Sequence, residues 1–230
     1  MEILLVAATT FEIQPTIDYI RGRAGRDGFP SVTSLITGVG GLATTWALTR
    51  QIDSARPDLV IQAGIAGCLA GKQPGEVFVV GDEVLADLGV WEDETFKSLF
   101  EMGLADKDAF PFVDGKLVNP HKALLALTAL PVVRAITVNE ITTDRERIRW
   151  HQQNTGAVVE SMEGGPLHYV CLQARVPFLQ LRAVSNEVGV RDKTRWDIPL
   201  AIARLNSALI SLLEKLDKHE IFPWLQPLPE

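Results

Sequence analysis

Short runs of apolar, β-branched-rich residues alternate along the chain with longer stretches in which apolar positions recur at helical spacing. This alternation predicts an α/β fold, a three-layer α/β/α sandwich around a central twisted sheet that is mixed but mostly parallel. The predicted strands are residues 2–8, 31–37, 58–63, 76–86, 131–138, 156–160 and 177–184. The predicted helices are residues 10–21, 41–54, 119–128, 144–153, 162–174 and 195–217.

Two segments depart from this alternation. Residues 89–115 have weak periodicity and several aromatic residues, and they could form either a lid over a ligand or a lobe that packs on a partner subunit. The tail at residues 222–227 contains prolines that cannot continue a helix, so we expect it to lie extended on the surface. No repeat or Pro/Ser-rich linker divides the chain, and we therefore expect a single domain over residues 1–230.

Composition and charge exclude several classes of function. The net charge is −7 and there is no long basic run, so a nucleic-acid groove is not expected. The apolar runs have strand length, so no membrane span is expected, and the N-terminus lacks the features of a signal peptide. Cys68 and Cys171 are too few for a disulfide framework and are typical of buried, reduced thiols in the cytoplasm. The histidines show no metal-ligand spacing, and no metal site is predicted.

Two glycine-containing turns follow predicted strands. Residues 38–43 formally satisfy the dinucleotide-binding fingerprint, but the next strand ends in Gly64 without the carboxylate that would bind a ribose. Nicotinamide binding is therefore not favoured. Residues 64–67 form a second small-residue turn, in which backbone N–H groups can approach a ligand closely. Neither loop contains Arg or Lys, which favours a sugar or water over a tightly held phosphate.

Polar side chains occur at the ends of several predicted strands. Glu12 follows the first strand, Glu163 precedes two glycines, and Asn186 ends the last strand. Each also has a structural interpretation: Glu12 has capping-box spacing from Thr9, Glu163 could begin a helix, and Asn186 with Ser185 could be turn residues. Because ligands of open α/β sheets collect at the carboxyl ends of strands, we expect the three side chains to meet at one site.

Taken together, these motifs resemble the purine nucleoside phosphorylase/nucleosidase superfamily. The order and spacing agree from residue 1 to about residue 215, except over residues 89–135. Within the superfamily the resemblance is to the methylthioadenosine/S-adenosylhomocysteine nucleosidase branch. Residues 182–192, followed by Trp196, are similar to branch members that hydrolyse futalosine, a 5′-extended inosine, in an alternative menaquinone pathway.

The resemblance implies a role for each motif. Glu163 would bind the ribose hydroxyls with Met162 against the sugar, and Glu12 would activate a water molecule. Other residues that the resemblance predicts to contact substrate are Gly64, Ile65, Ile141, Ser185 and Arg191. It also implies a small nucleoside as the ligand, no cofactor, and assembly into a dimer or larger homo-oligomer. The stretch of residues 7–11 has no arginine for phosphate, so water is the expected nucleophile.

Asn186 indicates the base that is released. The adenine-cleaving members of the branch carry Asp there, whereas an amide, which offers two donors and one acceptor, suits the two acceptors of a 6-oxopurine such as hypoxanthine. Asn186 cannot supply the proton that N7 of the base needs, and that question stays open.

Three alternatives also remain open. They are a nucleosidase that releases adenine from methylthioadenosine, S-adenosylhomocysteine or aminodeoxyfutalosine, a phosphorylase, and a non-catalytic nucleoside-binding protein. The cations that could meet the 5′ carboxylate of futalosine are Arg145, Arg147, Arg149, Arg191, Lys193 and Arg195.

Overall fold

The computed structural model describes residues 1–23, 25–26 and 28–217. The strands are β1 Glu2–Ala7, β2 Ser31–Ile36, β3 Leu59–Cys68, β4 Val77–Leu85, β5 Gly89–Glu92, β6 Thr95–Ser98, β7 Leu117–Val118, β8 Val132–Thr137, β9 Val159–Ser161 and β10 Phe178–Glu187. The helices are α1 Thr10–Arg23, α2 Gly41–Ser54, α3 Lys122–Leu127, α4 Arg145–Asn154, α5 Gly164–Ala174 and α6 Ile198–Asp217. Every predicted element is present within a few residues of its predicted bounds, and the predicted extended tail lies outside the described residues.

The main sheet is mixed, and part of it closes into a ring. Parallel pairing joins β2 to β1, β1 to β3 and β3 to β10. From β10 the order continues through β4, β8 and β9 and returns to β3, where the pairings β10–β4 and β3–β9 are antiparallel. The α/β class and the mixed sheet are confirmed. The three-layer sandwich and the mostly parallel character of the sheet, both expected from the sequence, are not confirmed.

Bulges supply the physical reason for this difference. The register of β10 shifts between Val184 and Asn186, and that of β4 shifts between Val80 and Asp82. A bulge bends its strand and increases the local twist, so the strands can curl toward each other instead of extending a flat sheet. The closed part lies around the C-terminal half of β3, where Gly67 pairs with both β9 and β10.

Helices pack on both faces of the strands β1, β3 and β10. On one face, Ile13 of α1 and Leu205 of α6 join a buried cluster with Leu5. On the other face, Leu48 of α2 and Leu167 of α5 form a cluster that includes Val6 and other apolar residues. Alternate residues of β1 thus face opposite layers, as expected for a strand. Each fully buried side chain of this size stabilises the fold by roughly 1.5–3 kcal/mol relative to an exposed one.

A side chain of the last helix also fixes the first helix. The Asn206 amide nitrogen in α6 donates to the backbone oxygen of Glu12 at 2.9 Å, and its oxygen accepts from the backbone N–H of Thr16 at 3.0 Å. Asn206 is buried, so these bonds are shielded from water. The first turns of α1 are therefore held in place by a residue nearly 200 positions later in the chain.

The aromatic residues 89–115 pack on the chain itself. Strands β5 and β6 form a hairpin, in which Trp91 and Phe96 contact Trp150 of α4 with ring centroids 5.5 and 5.7 Å apart. Farther along, Phe100 contacts Phe112, which lies near Tyr169 of α5. The hairpin therefore borders α4, and no residue of 89–115 lines the cavity at the ends of β1, β3 and β10, as a lid would. Whether the segment also contacts a partner subunit stays a prediction.

Two further expectations concern cysteines and membranes. Cys68 and Cys171 are both buried and unpaired, as expected for reduced thiols, and burial raises the pKa of the Cys171 thiol far above its usual range. Across residues 1–23, 25–26 and 28–217, no helix combines the length and apolar character that crossing a bilayer requires.

Candidate active site

A cavity of about 380 Å³ opens where strands β1, β3, β9 and β10 end. Eight of the residues predicted to form the site line it together: Glu12, Ile65, Ile141, Met162, Glu163, Ser185, Asn186 and Arg191. The structure therefore brings the predicted polar groups together at the carboxyl ends of the strands. Most of the remaining wall is apolar, as is typical of a small-molecule site.

Glu12 lies in the first turn of α1 and is only 7% exposed. Its Oε2 accepts hydrogen bonds from the backbone N–H and the hydroxyl of Thr9, at 3.0 and 2.9 Å. Its Oε1 accepts from the backbone N–H of Ile65 in β3 at 3.0 Å. The capping contact and the site-facing position are thus not alternatives, because the same carboxylate fulfils both. Three donors fix its orientation at the edge of the cavity.

Glu163 directly precedes α5 and is 6% exposed. Its Oε1 accepts from the backbone N–H of Gly40 at 3.0 Å, and its Oε2 lies 3.6 Å from Nη1 of Arg182. Gly40 has φ +91°, a conformation that strongly favours glycine. The loop that resembles a dinucleotide fingerprint therefore binds a carboxylate of the chain itself.

Arg182 is 1% exposed and connects the two sides of the site. Besides its ion pair with Glu163, it donates from Nη2 to Oε1 of Gln62 at 2.8 Å. Gln62 in turn donates to the backbone oxygen of Glu163 at 3.3 Å. Arg182 thus orients its neighbours. Gln62 was not predicted to have a role, although a lone amide in an apolar strand is a usable signal.

Gly64 lies beneath the cavity and is not part of its wall. A Cβ at this position would come within 2.9 Å of Oε1 of Glu12 and closer still to Nη1 of Arg182. The predicted contact between Gly64 and substrate is not supported by this placement. Glycine is needed here because it leaves room for the two charged side chains.

Asn186 follows the bulge in β10, which turns consecutive residues toward the cavity. Its Oδ1 accepts from the Ser185 hydroxyl at 2.8 Å, and its Nδ2 donates to the backbone oxygen of Glu187 at 2.9 Å. Because an amide nitrogen carries two hydrogens, the second one can be offered to a ligand. The backbone oxygen of Glu187, which can only accept, therefore fixes which end of the amide is the donor.

Arg191 is the one of the six candidate cations that lines the cavity in the described part of the chain. Its guanidinium lies 5.7 Å from the ring centre of Trp196, which also lines the cavity. Arg147 instead pairs with Glu140 at 3.4 Å and lies over Trp91, beside a separate cavity. The structure thus shows that Arg191 and not Arg147 lines this cavity, a distinction that the sequence alone could not make.

Two buried polar groups on β9 also line the cavity and were not predicted. Oε2 of Glu160 and the hydroxyl of Ser161 are buried without a hydrogen-bond partner in the structure. Burial, together with the negative charge of Asp87, raises the pKa of the Glu160 carboxyl to about 7. A charged residue inside a short apolar strand was the available sequence signal for Glu160.

A second buried acid supports the start of α5. Glu83 accepts from Nε2 of Gln180 at 2.7 Å and from the hydroxyl of Thr137 at 2.9 Å. That hydroxyl accepts from the backbone N–H of Gly165 at 2.7 Å, so the network reaches the turn that positions Glu163. Burial raises the pKa of Glu83 to about 7.

This pKa predicts a pH-dependent contribution to stability. The unfolded chain ionises Glu83 near pH 4.5 and the folded chain near 7, so the free energy of unfolding falls as the pH rises through that interval. Glu83→Gln should therefore show a smaller decrease in the free energy of unfolding between about pH 5 and about pH 8 than the wild type does. Urea unfolding at the two pH values measures this difference. Glu94→Gln, at an exposed acid of the β5–β6 turn, should leave the pH dependence of the wild-type protein unchanged. Equal pH dependence in wild type and Glu83→Gln would contradict the prediction.

Comparison with known proteins places the chain in a family. The model of the phosphorylase superfamily matches residues 4–216. The chain belongs to the phosphorylase superfamily. Within that superfamily, it is 35% identical to a futalosine hydrolase of Acidothermus cellulolyticus over 77% of this chain and 73% of the relative. It is 33% identical to a futalosine hydrolase of Streptomyces coelicolor over 74% and 72% of the two chains. The resemblance to this group is therefore confirmed.

A solved structure has the same fold. The structure of futalosine hydrolase from Helicobacter pylori superimposes with a TM-score of 0.76 and covers 93% of this chain and 97% of that one. The two sequences are 17% identical, so this likeness shows the fold alone.

In the described part of the chain, no three His, Cys, Asp or Glu side chains are grouped as metal ligands would be.

Proposed function

We propose that this protein is a nucleosidase that hydrolyses the N-glycosidic bond of futalosine and releases hypoxanthine. The observation that carries the proposal is the meeting of Glu12, Glu163 and Asn186 on one cavity. The futalosine hydrolases that match about three quarters of the chain support the same substrate. The individual roles of these residues follow from the chemistry of the bond that breaks.

Breaking the bond between ribose and base leaves an electron-deficient sugar. Glu163 can accept hydrogen bonds from the ribose hydroxyls, since its two oxygens are oriented by Gly40 and Arg182. Met162, on the same wall, offers an apolar side chain to the sugar. A carboxylate held in this way binds the ribose without having to reorganise, which lowers the cost of reaching the transition state.

Glu12 is the base that takes a proton from the attacking water. A general base of this kind accelerates a reaction by about 10²–10⁴. The three donors that hold Glu12 leave its carboxylate turned to the cavity edge. Residues 7–11 carry no arginine that would hold phosphate at this position, which supports water over phosphate as the nucleophile.

The 5′ extension of futalosine ends in a carboxylate. Arg191 and Trp196 together offer it a cation and an aromatic face on the cavity wall. We assign the 5′ carboxylate to Arg191 for this reason. The role of the reaction in menaquinone synthesis and the cytoplasmic location stay predictions from the sequence resemblance.

The test is incubation of the purified protein with futalosine, with methylthioadenosine and with futalosine plus phosphate. We expect hypoxanthine from futalosine at a rate that does not depend on phosphate, measured by chromatography. Adenine from methylthioadenosine with no hypoxanthine from futalosine would identify an adenine-releasing nucleosidase instead. A strict need for phosphate would identify a phosphorylase, and tight binding without turnover would identify a nucleoside-binding protein.

Asn186→Asp should lower kcat/KM for futalosine by about 10–100-fold, because a carboxylate repels the acceptor groups of a 6-oxopurine. The ratio of adenine to hypoxanthine release should rise in the same variant. Asn154→Asp, an exposed site on α4, is the matched control and should behave like wild type. An unchanged ratio in Asn186→Asp would mean that Asn186 does not read the base.

We also propose that the chain forms a homo-oligomer next to this site. Phe11 and Val39 line the cavity and are 63% and 59% exposed, and Leu42 and Trp46 continue an exposed apolar surface along α2. Large exposed apolar side chains that lie close together are typical of contact surfaces. A sedimentation measurement that gives a monomer at assay concentrations would contradict this proposal.

A further inference from the structure

Hydrolysis of the nucleoside leaves one step without a group to perform it. When the bond between C1′ and N9 breaks, its electron pair moves onto the purine, which must gain a proton to leave as a neutral molecule. Asn186 carries an amide and has no proton to transfer. Glu12 cannot supply this proton either, because it is needed as the base that takes a proton from the attacking water. The inference below rests on the proposed function and concerns the source of this proton.

The sheet register brings Glu160 toward the base. Glu160 of β9 pairs with Gly67 of β3, and Gly67 pairs with Asn186 of β10. Residues that pair directly across neighbouring strands present their side chains on the same face of a sheet. A Cβ built on Gly67 would lie 3.8 Å from Nδ2 of Asn186, so Gly67 faces the same side as the amide. Glu160 and Asn186 therefore flank a residue without a side chain.

The distance between the two side chains suits a heterocycle. Neighbouring strands are about 4.8 Å apart, so the Cα atoms of Glu160 and Asn186 are separated by roughly 10 Å. Both side chains line the cavity, and Val188, whose Cγ2 lies 2.8 Å from a Cβ built on Gly67, lines it with them. A purine held by Asn186 on one edge would thus present its other atoms toward Glu160.

The Glu160 carboxyl is also buried, lacks a hydrogen-bond partner at one oxygen and has a raised pKa. It is 8% exposed, and its Oε2 has no hydrogen-bond partner in the structure. A buried polar atom without a partner is costly unless a ligand supplies one. Burial, with the charge of Asp87 as the smaller cause, raises its pKa to about 7, so a large fraction of the carboxyl groups carry a proton at neutral pH.

We propose that Glu160 is the general acid of the reaction and gives its proton to a ring nitrogen of the leaving purine. The O–H bond of Glu160 breaks and an N–H bond forms on the base, while the electron pair of the C1′–N9 bond moves into the purine ring. Water adds to C1′ and loses its proton to Glu12. Glu160 ends as a carboxylate and Glu12 as an acid, and both return to their starting states by exchange with solvent after the products leave.

The experiment compares wild type with Glu160→Gln and Glu160→Asp on futalosine. Glutamine keeps the size and polarity of the side chain but has no proton to give, so kcat should fall by about 10²–10⁴ with little change in KM. Aspartate keeps an acid and should recover part of the loss. Glu140→Gln is the matched control, at an exposed acid that does not line this cavity, and should keep full activity.

The pH profile distinguishes proton transfer from a structural role. Because the protonated form is the active one, kcat/KM of the wild type should fall as the pH rises through about 7. In Glu160→Gln, the fall in kcat/KM above about pH 7 should be absent. The other charged groups on the cavity are Glu12, Glu163 and Arg191, and Asp87 acts on Glu160 through its charge. These groups are the same in both proteins, so the difference between the two profiles reports Glu160.

Two results would overturn the inference. One is a Glu160→Gln variant within about threefold of wild type, since removal of a general acid has a much larger effect. The other is a loss that appears in KM and that Glu160→Asp does not restore, which would make Glu160 a positioning residue. If the wild type releases only adenine from methylthioadenosine, the proposed substrate is wrong, and the same variants then test Glu160 on that substrate.

Discussion

Glu12→Gln is expected to lower kcat for hypoxanthine release by about 10²–10⁴ while KM changes little. An amide cannot accept the proton of the attacking water. It would also turn donor hydrogens toward the N–H groups of Thr9 or Ile65, which now donate to the carboxylate. Steady-state kinetics with futalosine measure both parameters.

The matched control for Glu12→Gln is Asp18→Asn, which neutralises an exposed acid on the same helix. This control should retain wild-type activity, so that a general effect of charge on α1 is excluded. Turnover of Glu12→Gln at the wild-type rate would show that another group activates the water. It would also remove one of the arguments that distinguish an enzyme from a nucleoside-binding protein.

Arg182→Met should lower the free energy of unfolding by about 3–5 kcal/mol, the usual cost of breaking a buried ion pair. Both partners are almost fully buried, at 1% for Arg182 and 6% for Glu163, so the remaining carboxylate would lose its counter-charge without gaining water. Gln62 would lose the donor for its oxygen as well. Urea unfolding at neutral pH measures the change.

The double variant Arg182→Met with Glu163→Gln provides the sharper comparison. It leaves no unpaired charge, so it should be more stable than Arg182→Met alone if the buried carboxylate is the cause. Lys97→Met breaks an exposed ion pair in the β5–β6 hairpin and should change stability little. A loss below about 1 kcal/mol in Arg182→Met would mean that solvent reaches Glu163 more easily than its burial indicates.

Local sequence determined which elements form, but it did not determine how the sheet closes. The bounds of α2 were predicted to the residue because periodicity and the flanking glycines and proline mark both ends. The ring of strands depends on bulges in β4 and β10 and on pairings between strands far apart in the chain. Such long-range pairing leaves no mark in hydrophobic periodicity, which reports only one strand at a time.

For the site, the sequence predicted several of the residues but not the contacts that orient them. Glu12 follows β1 and Asn186 lies near the end of β10, and the common edge of these parallel strands brings them together. Glu163 reaches the same cavity from β9, which runs antiparallel to β3. The contacts that orient them were not predictable, because the bond from Gly40 to Glu163 joins residues 123 positions apart. Glu160 was missed because a single acid in a strand gives no sign of the face on which it lies. Gly64 was assigned to the ligand because glycine permits close approach, but here the approaching groups are side chains of the chain itself.

The attachment of Glu12 to Asn206 bears on how the protein is made. The backbone at the start of the first helix is held by an amide that is synthesised 194 residues later. Before α6 is synthesised, the polypeptide lacks the hydrogen bond that holds the backbone of Glu12 at the edge of the cavity. The edge of the cavity that carries Glu12 is therefore completed only after α6 has been synthesised.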